Sequence, residues 1–136
     1  MSVFGDTSAL YALLIETDAS HAAVRSAFSN LLARDEAVWT TSFVLVETMA
    51  LLQHRIGIEA ARDFDEDILP VLSVHWVDED LYRRGIERLW REDRRRVSLV
   101  DCVGFEFMKI KGLTAAFAVD PHFAEAGFTV LPALPA

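Results

Sequence analysis

Five short apolar stretches alternate with longer amphipathic segments, and this alternation limits the fold more than any other feature of the sequence. The predicted strands are residues 2–5, "AVWT", "VLSVHWV", "TAAFAV" and "FTVL". Strands that are separated by helices form parallel β-α-β units. We therefore predict an α/β protein with a three-layer α/β/α fold and a central, mainly parallel sheet. The 136 residues are expected to form one domain over residues 1–136.

The composition narrows the class of protein. Hydrophobic residues make up 52% of the chain, which excludes a disordered protein. The formal net charge of −8 argues against a general nucleic-acid coat, but nucleic acid remains possible as a substrate because local patches decide contact. Cys102 is the only cysteine, which excludes an intrachain disulfide and predicts a small buried side chain. No signal peptide or membrane span is evident, so we expect a cytoplasmic protein.

Helix boundaries follow from caps and from apolar spacing. The helix "SFVLVETMALLQHR" is predicted to begin with Ser42 as its cap, and a further helix covers about residues 58–68 and stops before Pro70. Another helix runs from Ser20 to about Arg34. The residues predicted to form its buried face are Ala23, Ala27, Leu31 and Leu32.

Two aspartates stand at the ends of predicted strands. Asp6 ends the first strand and Asp120 ends the strand "TAAFAV". In open parallel sheets, ligands bind outside the carboxyl ends of the strands, near the point where the strand order reverses. The two carboxylates are therefore expected to converge. The alternative is that each is only a helix N-cap, because aspartate is a preferred capping residue.

Glu47 is predicted to lie on an apolar face of its helix. Its neighbours three and four positions away are Phe43, Val44, Ala50 and Leu51. A carboxylate on such a face indicates either a reaction or metal site, or a structural salt bridge with a buried arginine.

Asp101 is the fourth unusual acid. Ser98 lies three positions before it, which resembles a capping box, and the positive end of the helix dipole is expected to keep Asp101 ionised. Phe105 and Met108 lie on the same side of this helix. Taken alone, Asp101 is equally well explained as part of the cap.

Four carboxylates in one cleft would repel one another unless a counter-charge were present. The simplest counter-charge is a hard divalent cation, and Mg²⁺ or Mn²⁺ prefers carboxylate oxygens. The sequence clusters no histidine or cysteine ligands. A carboxylate site for Mg²⁺ or Mn²⁺ is the resulting prediction.

The segments "DTSAL", "VLVE", "SLVDC" and "FAVDPHF" occur in this order and together resemble the PIN-domain family, particularly its VapC-like ribonuclease toxins. The resemblance implies an α/β fold and a Mg²⁺- or Mn²⁺-dependent endoribonuclease, usually a homodimer, which a cognate antitoxin inhibits. The acidic residues that match the family's catalytic and metal-binding quartet are Asp6, Glu47, Asp101 and Asp120. The hydroxyl residues expected to line the site and contact substrate are Thr7, Ser8 and Ser98. Gly5 and His122 depart from the usual pattern.

The resulting hypothesis is hydrolysis of an RNA phosphodiester bond. Asp6, Asp101 and Asp120 would hold one or two ions, and Glu47 would help to hold the metal or orient the attacking water. Arginines precede the helix of Asp101 and are predicted to grip RNA phosphates, although a solvated basic loop explains them equally well. These arginines are Arg94, Arg95 and Arg96.

Other functions remain possible at this stage. One is a catalytically silent PIN-like binding module, and another is a PIN nuclease that processes RNA outside a toxin–antitoxin pair. A phosphatase would want a second aspartate where Ser8 stands. The three tryptophans, Trp39, Trp76 and Trp90, are expected to fill the core or an interface rather than stack on bases. The RNA target is not predictable from these motifs.

Overall fold

The computed structural model describes residues 2–133. Its five strands are β1 (Val3–Gly5), β2 (Val38–Thr41), β3 (Ser73–His75), β4 (Ala115–Phe117) and β5 (Thr129–Leu131). Its helices are α1 (Thr7–Leu14), α2 (His21–Ala33), α3 (Ser42–Arg55), α4 (Ile58–Asp63), α5 (Glu79–Glu92), α6 (Leu99–Lys111) and α7 (His122–Glu125).

All strand pairs are parallel, and the order in the sheet is β3-β2-β1-β4-β5. The chain moves outward from β1 to β3, then returns across the sheet to β4 and β5 on the other side of β1. Because crossovers between parallel strands are right-handed, reversing direction places helices on both faces of the sheet. The predicted three-layer α/β/α fold with a parallel central sheet is confirmed.

The core is rich in phenylalanine. Phe123 lies against Phe4 of β1 with ring centroids 5.6 Å apart, and against Phe105 of α6 with centroids 4.8 Å apart. All three side chains are almost fully buried. A β-carbon on Gly104 would lie only 3.0 Å from the Phe4 ring, so glycine allows α6 to approach β1 this closely. Helix α6 is thereby fixed against the centre of the sheet.

Helix α6 has strong signals at both ends. Ser98 and Asp101 form the predicted capping box, and Gly112 ends the helix in the left-handed conformation with φ of 76°. The described residues 101–108 are all buried. Burial raises the pKa of the Cys102 thiol to about 11, in agreement with the small buried side chain expected there.

Helix α5 packs against α6 through one glycine and one ion pair. A β-carbon on Gly85 would clash with Val103, so glycine permits the close approach. Arg88 Nη1 donates a hydrogen bond to Glu106 Oε2 at 2.9 Å, and its guanidinium lies 4.7 Å from the centre of the Phe105 ring. The charge of Glu106 is therefore neutralised within the interface between the two helices.

Several local predictions were wrong. The prediction for α2 is confirmed for Leu31, which is buried, and for Ala27, which packs partly buried against the core. It is wrong for Ala23 and Leu32, which are exposed, while Val24 and Phe28 are buried instead. The cap of α3 is Thr41, whose hydroxyl accepts from Val44 N, while Ser42 Oγ instead accepts a hydrogen bond from Val77 N. The predicted helix over residues 58–68 divides into α4 and a π-helical turn at Phe64–Ile68, because Phe64 is drawn into the core.

No helix within residues 2–133 is long and apolar enough to cross a membrane. The assignment of one domain to residues 1–136 stays a prediction, and Met1 and residues 134–136 lie outside the described part of the chain.

Candidate active site

A cleft of about 500 Å³ lies at the carboxyl edge of the sheet, where β1 and β4 are neighbours and the strand order reverses. This is the place where open parallel sheets bind ligands. The cleft brings together the four predicted acids. Its lining includes Asp6, Thr7, Ser8, Glu47, Arg96, Ser98, Asp101, Asp120 and His122.

Asp6 lies at the base of this cleft and is only 4% exposed. It is the N-cap of α1, and its Oδ2 accepts hydrogen bonds from the Ser8 hydroxyl at 2.6 Å and from Ser8 N at 3.2 Å. Burial raises the pKa of Asp6 to about 7, against the lowering effect of the Ser8 hydrogen bonds, and the charges of Asp101 and Asp120 raise it further. The capping and site interpretations of Asp6 are therefore compatible.

Ser8 connects the two strand ends. Its hydroxyl donates to Asp6 and accepts from the backbone N–H groups of Val119 at 2.9 Å and Asp120 at 3.2 Å. A serine hydroxyl offers one donor and two acceptor sites, so this hydroxyl is fully used. The arrangement favours a positioning role for Ser8 over the predicted contact with substrate.

Asp120 is exposed, unlike Asp6. It precedes α7, but the N-cap position of that helix is Pro121, and the cap has no side-chain hydrogen bond. The alternative that Asp120 serves as a helix cap is therefore wrong.

Asp101 enters the cleft from the N-terminus of α6. Its Oδ2 accepts from Ser98 N at 3.2 Å and lies 3.0 Å from Nδ1 of His122. Burial is the largest influence and raises the pKa of Asp101, although the Ser98 N–H and His122 act in the opposite direction. The expected effect of the helix terminus, which favours the charged form of Asp101, is therefore opposed by burial of the carboxyl group.

Glu47 projects into the cleft from α3 and is half-buried. Within residues 2–133 it forms no salt bridge, so the proposed structural ion pair with a buried arginine is not present. The next residue, Thr48, is fully buried and contacts Thr7, with 3.3 Å between the hydroxyl oxygens. Thr7 also donates to Val44 O at 3.5 Å, which favours a structural link between α1 and α3 over a substrate contact for Thr7.

The three predicted arginines occupy different surroundings. Arg96 lines the cleft, whereas Arg94 and Arg95 line a second groove beside it. Arg94 Nη2 donates to Glu125 Oε2 at 2.8 Å, and this hydrogen bond lowers the pKa of Glu125. Arg96 is thus best placed to face a phosphate in the cleft, and Arg94 also ties the loop to α7.

Sequence reasoning missed several cleft residues. His122 was noted only as a departure from the family pattern, although its position two residues after Asp120 was an available signal. Tyr11, Asp18 and Arg55 also line the cleft, and Arg55 lies 5.7 Å from the centre of the Tyr11 ring. Tyr11 lies three and four residues after Ser8 and Thr7 on the same helix, and this spacing gave only a weak indication.

The chemistry of these side chains fits a hard divalent cation. Asp6 is buried, its recorded hydrogen bonds all use Oδ2, and the nearby acids disfavour its charge. A cation would reverse that effect. Among residues 2–133, no three acidic, histidine or cysteine side chains already form a closed metal-ligand arrangement. The donor set fits a metal, while the carboxylates are not yet in ligand geometry.

Comparison with known proteins identifies the family. The sequence model of the PIN domain matches residues 3–129. This chain belongs to the PIN-domain family. The family predicted from the four short motifs is therefore confirmed.

This PIN domain is similar to 23S rRNA-specific endonuclease VapC20 of Mycobacterium tuberculosis, with 36% identity over 127 residues that cover 93% of this chain and 95% of that protein. The crystal structure of VapC20, described as a sarcin-ricin loop cleaving toxin, superposes with a TM-score of 0.82 and covers 93% of this chain and 96% of that chain.

Two solved structures with low identity share the fold. FitAcB from Neisseria gonorrhoeae is 16% identical, has a TM-score of 0.68 and covers 96% of both chains. VapBC2 from Rickettsia felis, bound to a DNA fragment from its promoter, is 13% identical with the same TM-score, and covers 96% of this chain and 97% of that chain.

Proposed function

We propose that this PIN domain is a divalent-metal-dependent endoribonuclease, the toxin of a toxin–antitoxin pair, and that its substrate is ribosomal RNA. The observation that carries the proposal is the convergence of the quartet in one cleft at the reversal point of the sheet. The relative that is named a 23S rRNA-specific endonuclease supports the choice of RNA. Mg²⁺ and Mn²⁺ are the ions that suit carboxylate ligands.

In this proposal, Asp6, Asp101 and Asp120 hold the ion. A bound divalent ion stabilises the charge that develops on the phosphate and lowers the pKa of water. The protein contributes orientation: Ser8 fixes one oxygen of Asp6, and the capping box holds Asp101 at the start of α6. These hydrogen bonds restrict the rotation of the Asp6 and Asp101 side chains, and the carboxylates would complete the ligand geometry when the ion binds.

Glu47 and Arg96 have separate roles in the proposal. Glu47 comes from another helix and is more exposed than Asp6, which suits a group that orients water or accepts a proton. Arg96 offsets the repulsion between the acidic cleft and the RNA backbone by contacting a phosphate.

The partners and the compartment are also proposed. A toxin of this kind would be paired with an antitoxin protein and would act as a homodimer in the cytoplasm. Light scattering of the purified protein, alone and with the product of the adjacent reading frame, tests both assemblies. If the neighbouring gene encodes no binding partner, the alternative of an RNA-processing nuclease is favoured.

The decisive experiment is incubation of purified protein with intact ribosomes and with isolated ribosomal RNA, in Mg²⁺, in Mn²⁺ and in EDTA. We expect one predominant cut whose ends are mapped by sequencing, and no cut in EDTA. The Asp101→Asn variant, purified in parallel, controls for contaminating nuclease. A wild-type protein that binds RNA without cutting it in either metal would support the silent binding module instead.

A further inference from the structure

A second groove lies beside the active-site cleft and has no assigned role. It has a volume of about 340 Å³, within the range of small-ligand pockets. Its lining includes Leu89, Trp90, Arg94, Arg95, Val97 and Ser98, and we call it the Trp90 groove. Ser98 also lines the active-site cleft, so the two concavities adjoin at the cap of α6.

Trp90 is unusually exposed for a residue of this type. The side chain is 69% exposed, although a tryptophan in a folded protein is usually largely buried. Of the two expected locations, the core and an interface, the core is therefore wrong for Trp90. It lies in the last turn of α5, next to the loop that carries the arginines. An exposed indole at the wall of a groove provides a flat apolar surface on which a nucleobase can stack.

The charges around Trp90 favour a polyanion. Arg94 and Arg95 line the groove, Arg96 lines the adjoining cleft, and within residues 2–133 no carboxylate lies within ion-pair distance of Arg95 or Arg96. One acid, Asp93, also lines the groove, where it ends α5 in the left-handed conformation. The protein carries a net charge of −8, so this concentration of arginines runs against its general character.

We propose that the Trp90 groove binds a single-stranded nucleotide next to the scissile phosphate of the RNA, with its base stacked on Trp90 and its backbone held by Arg95. The inference rests on the proposed ribonuclease function and extends it to a substrate-binding subsite. Arginine and tryptophan are also common in protein interfaces, so the choice of RNA rests on the position of the groove, which adjoins the active-site cleft at Ser98.

The test compares two equally exposed tryptophans. Trp76 is also 69% exposed but lines neither concavity, so Trp76→Ala is the matched control for Trp90→Ala. Single-turnover cleavage of a ribosomal RNA hairpin gives the half-saturating enzyme concentration and the maximal rate. We expect Trp90→Ala to raise the half-saturating enzyme concentration roughly tenfold and to leave the maximal rate nearly unchanged. Trp90→Phe should recover most of the affinity, and Trp76→Ala should resemble wild type.

A modified RNA locates the stacked base. Hairpins with one abasic nucleotide are tested at each position on either side of the cut. At one position, wild type and Trp90→Ala should bind with the same affinity, because the stacking partner is missing from the RNA. Arg95→Gln should reduce the slope of log affinity against log salt by about one.

The outcomes separate this inference from the nuclease proposal. If the wild type cleaves RNA and the Trp90→Ala and Trp76→Ala variants have the same half-saturating concentration, the proposed nucleotide site is rejected but the nuclease proposal is not. A Trp90→Ala defect that persists at every abasic position also overturns the nucleotide site, as does a change of oligomeric state without any change in RNA affinity. Trp90-dependent binding of RNA that is never cut supports the groove and rejects the nuclease.

Discussion

Helix α6 carries two buried acids that differ in whether an arginine neutralises their charge. Asp101 at its N-terminus and Glu106 near its middle are both 9% exposed. Glu106 accepts a hydrogen bond from Arg88 at 2.9 Å, and Arg88 Nε also lies 3.4 Å from Glu92. Asp101 has no arginine or lysine partner within residues 2–133, only His122 and the Ser98 N–H.

The difference distinguishes an acid that belongs to the fold from one that is available for chemistry. The charge of Glu106 is neutralised by the protein itself and is closed off between α5 and α6. Asp101 shares a cleft with Asp6 and Asp120. Burial disfavours the charged forms of Asp101 and Asp6, and the charges of Asp101 and Asp120 add to this effect at Asp6. The second arrangement is unfavourable for an isolated protein, and it becomes favourable when a cation binds.

The largest effect on activity is expected when the carboxylate of Asp101 is replaced by an amide. Asp101→Asn should lower the cleavage rate at least about a thousandfold, because a bound ion supplies several kcal/mol of charge stabilisation that the amide supports poorly. The amide oxygen can still accept from Ser98 N, so the melting temperature should change little. Cleavage is measured under single-turnover conditions in Mn²⁺.

Glu106→Gln on the same helix is the matched control for this prediction. This variant also removes one buried negative charge, from a residue that is as exposed as Asp101 but lies outside the cleft. Its cleavage rate below the melting temperature should stay within a fewfold of wild type. Comparable losses of activity in the two variants would remove the distinction between the two acids.

A large loss of stability, rather than of activity, is expected when Arg88 is replaced. Arg88→Met leaves Glu106 buried without its counter-charge, which costs about 3–5 kcal/mol. Urea unfolding monitored by circular dichroism gives the free energy of unfolding. The double variant Arg88→Met/Glu106→Leu should recover most of the loss, since an apolar pair replaces the ion pair. If the single variant is as stable as wild type, the ion pair does not neutralise a buried charge.

Much of the fold and the identity of the four acids could be predicted because their signals are local. The alternation of strands and helices sets the parallel sheet, and the capping box of Ser98 and Asp101 spans only four residues. The convergence of Asp6 and Asp120 follows from a rule about strand ends, which needs no knowledge of side-chain packing.

The unpredicted features depend on contacts between distant parts of the chain. Ser8 reaches the backbone of Asp120 across 112 positions, so no sequence pattern marked its hydroxyl as a link. His122 contacts Asp101 because α7 folds back towards α6. The raised pKa of Asp101 was also not predictable, since it depends mainly on how much protein covers the helix terminus. The exposure of Trp90 likewise depends on which face of α5 packs on α6.

A further effect is expected on the pH dependence of the stability of the metal-free protein. The pKa of Asp6 is raised from 3.8 to about 7 in the folded chain, so between these values the folded state binds more protons than the unfolded state. Stability therefore falls as the pH rises from about 4 to 7, by at most about 4 kcal/mol for this group. Asp6→Asn should remove most of this fall and be more stable than wild type at pH 8 in EDTA.

Part of the slope should remain in Asp6→Asn, because the raised pKa of Asp101 acts in the same direction. Urea unfolding at intervals between pH 4.5 and 8 measures both proteins. Adding Mn²⁺ at pH 8 should stabilise wild type but have much less effect on Asp6→Asn, since only the carboxylate gains a counter-charge. Parallel pH curves for the two proteins in EDTA would mean that the charge of Asp6 is already compensated within the protein. Asp6 would then resemble Glu106, whose charge the protein itself neutralises.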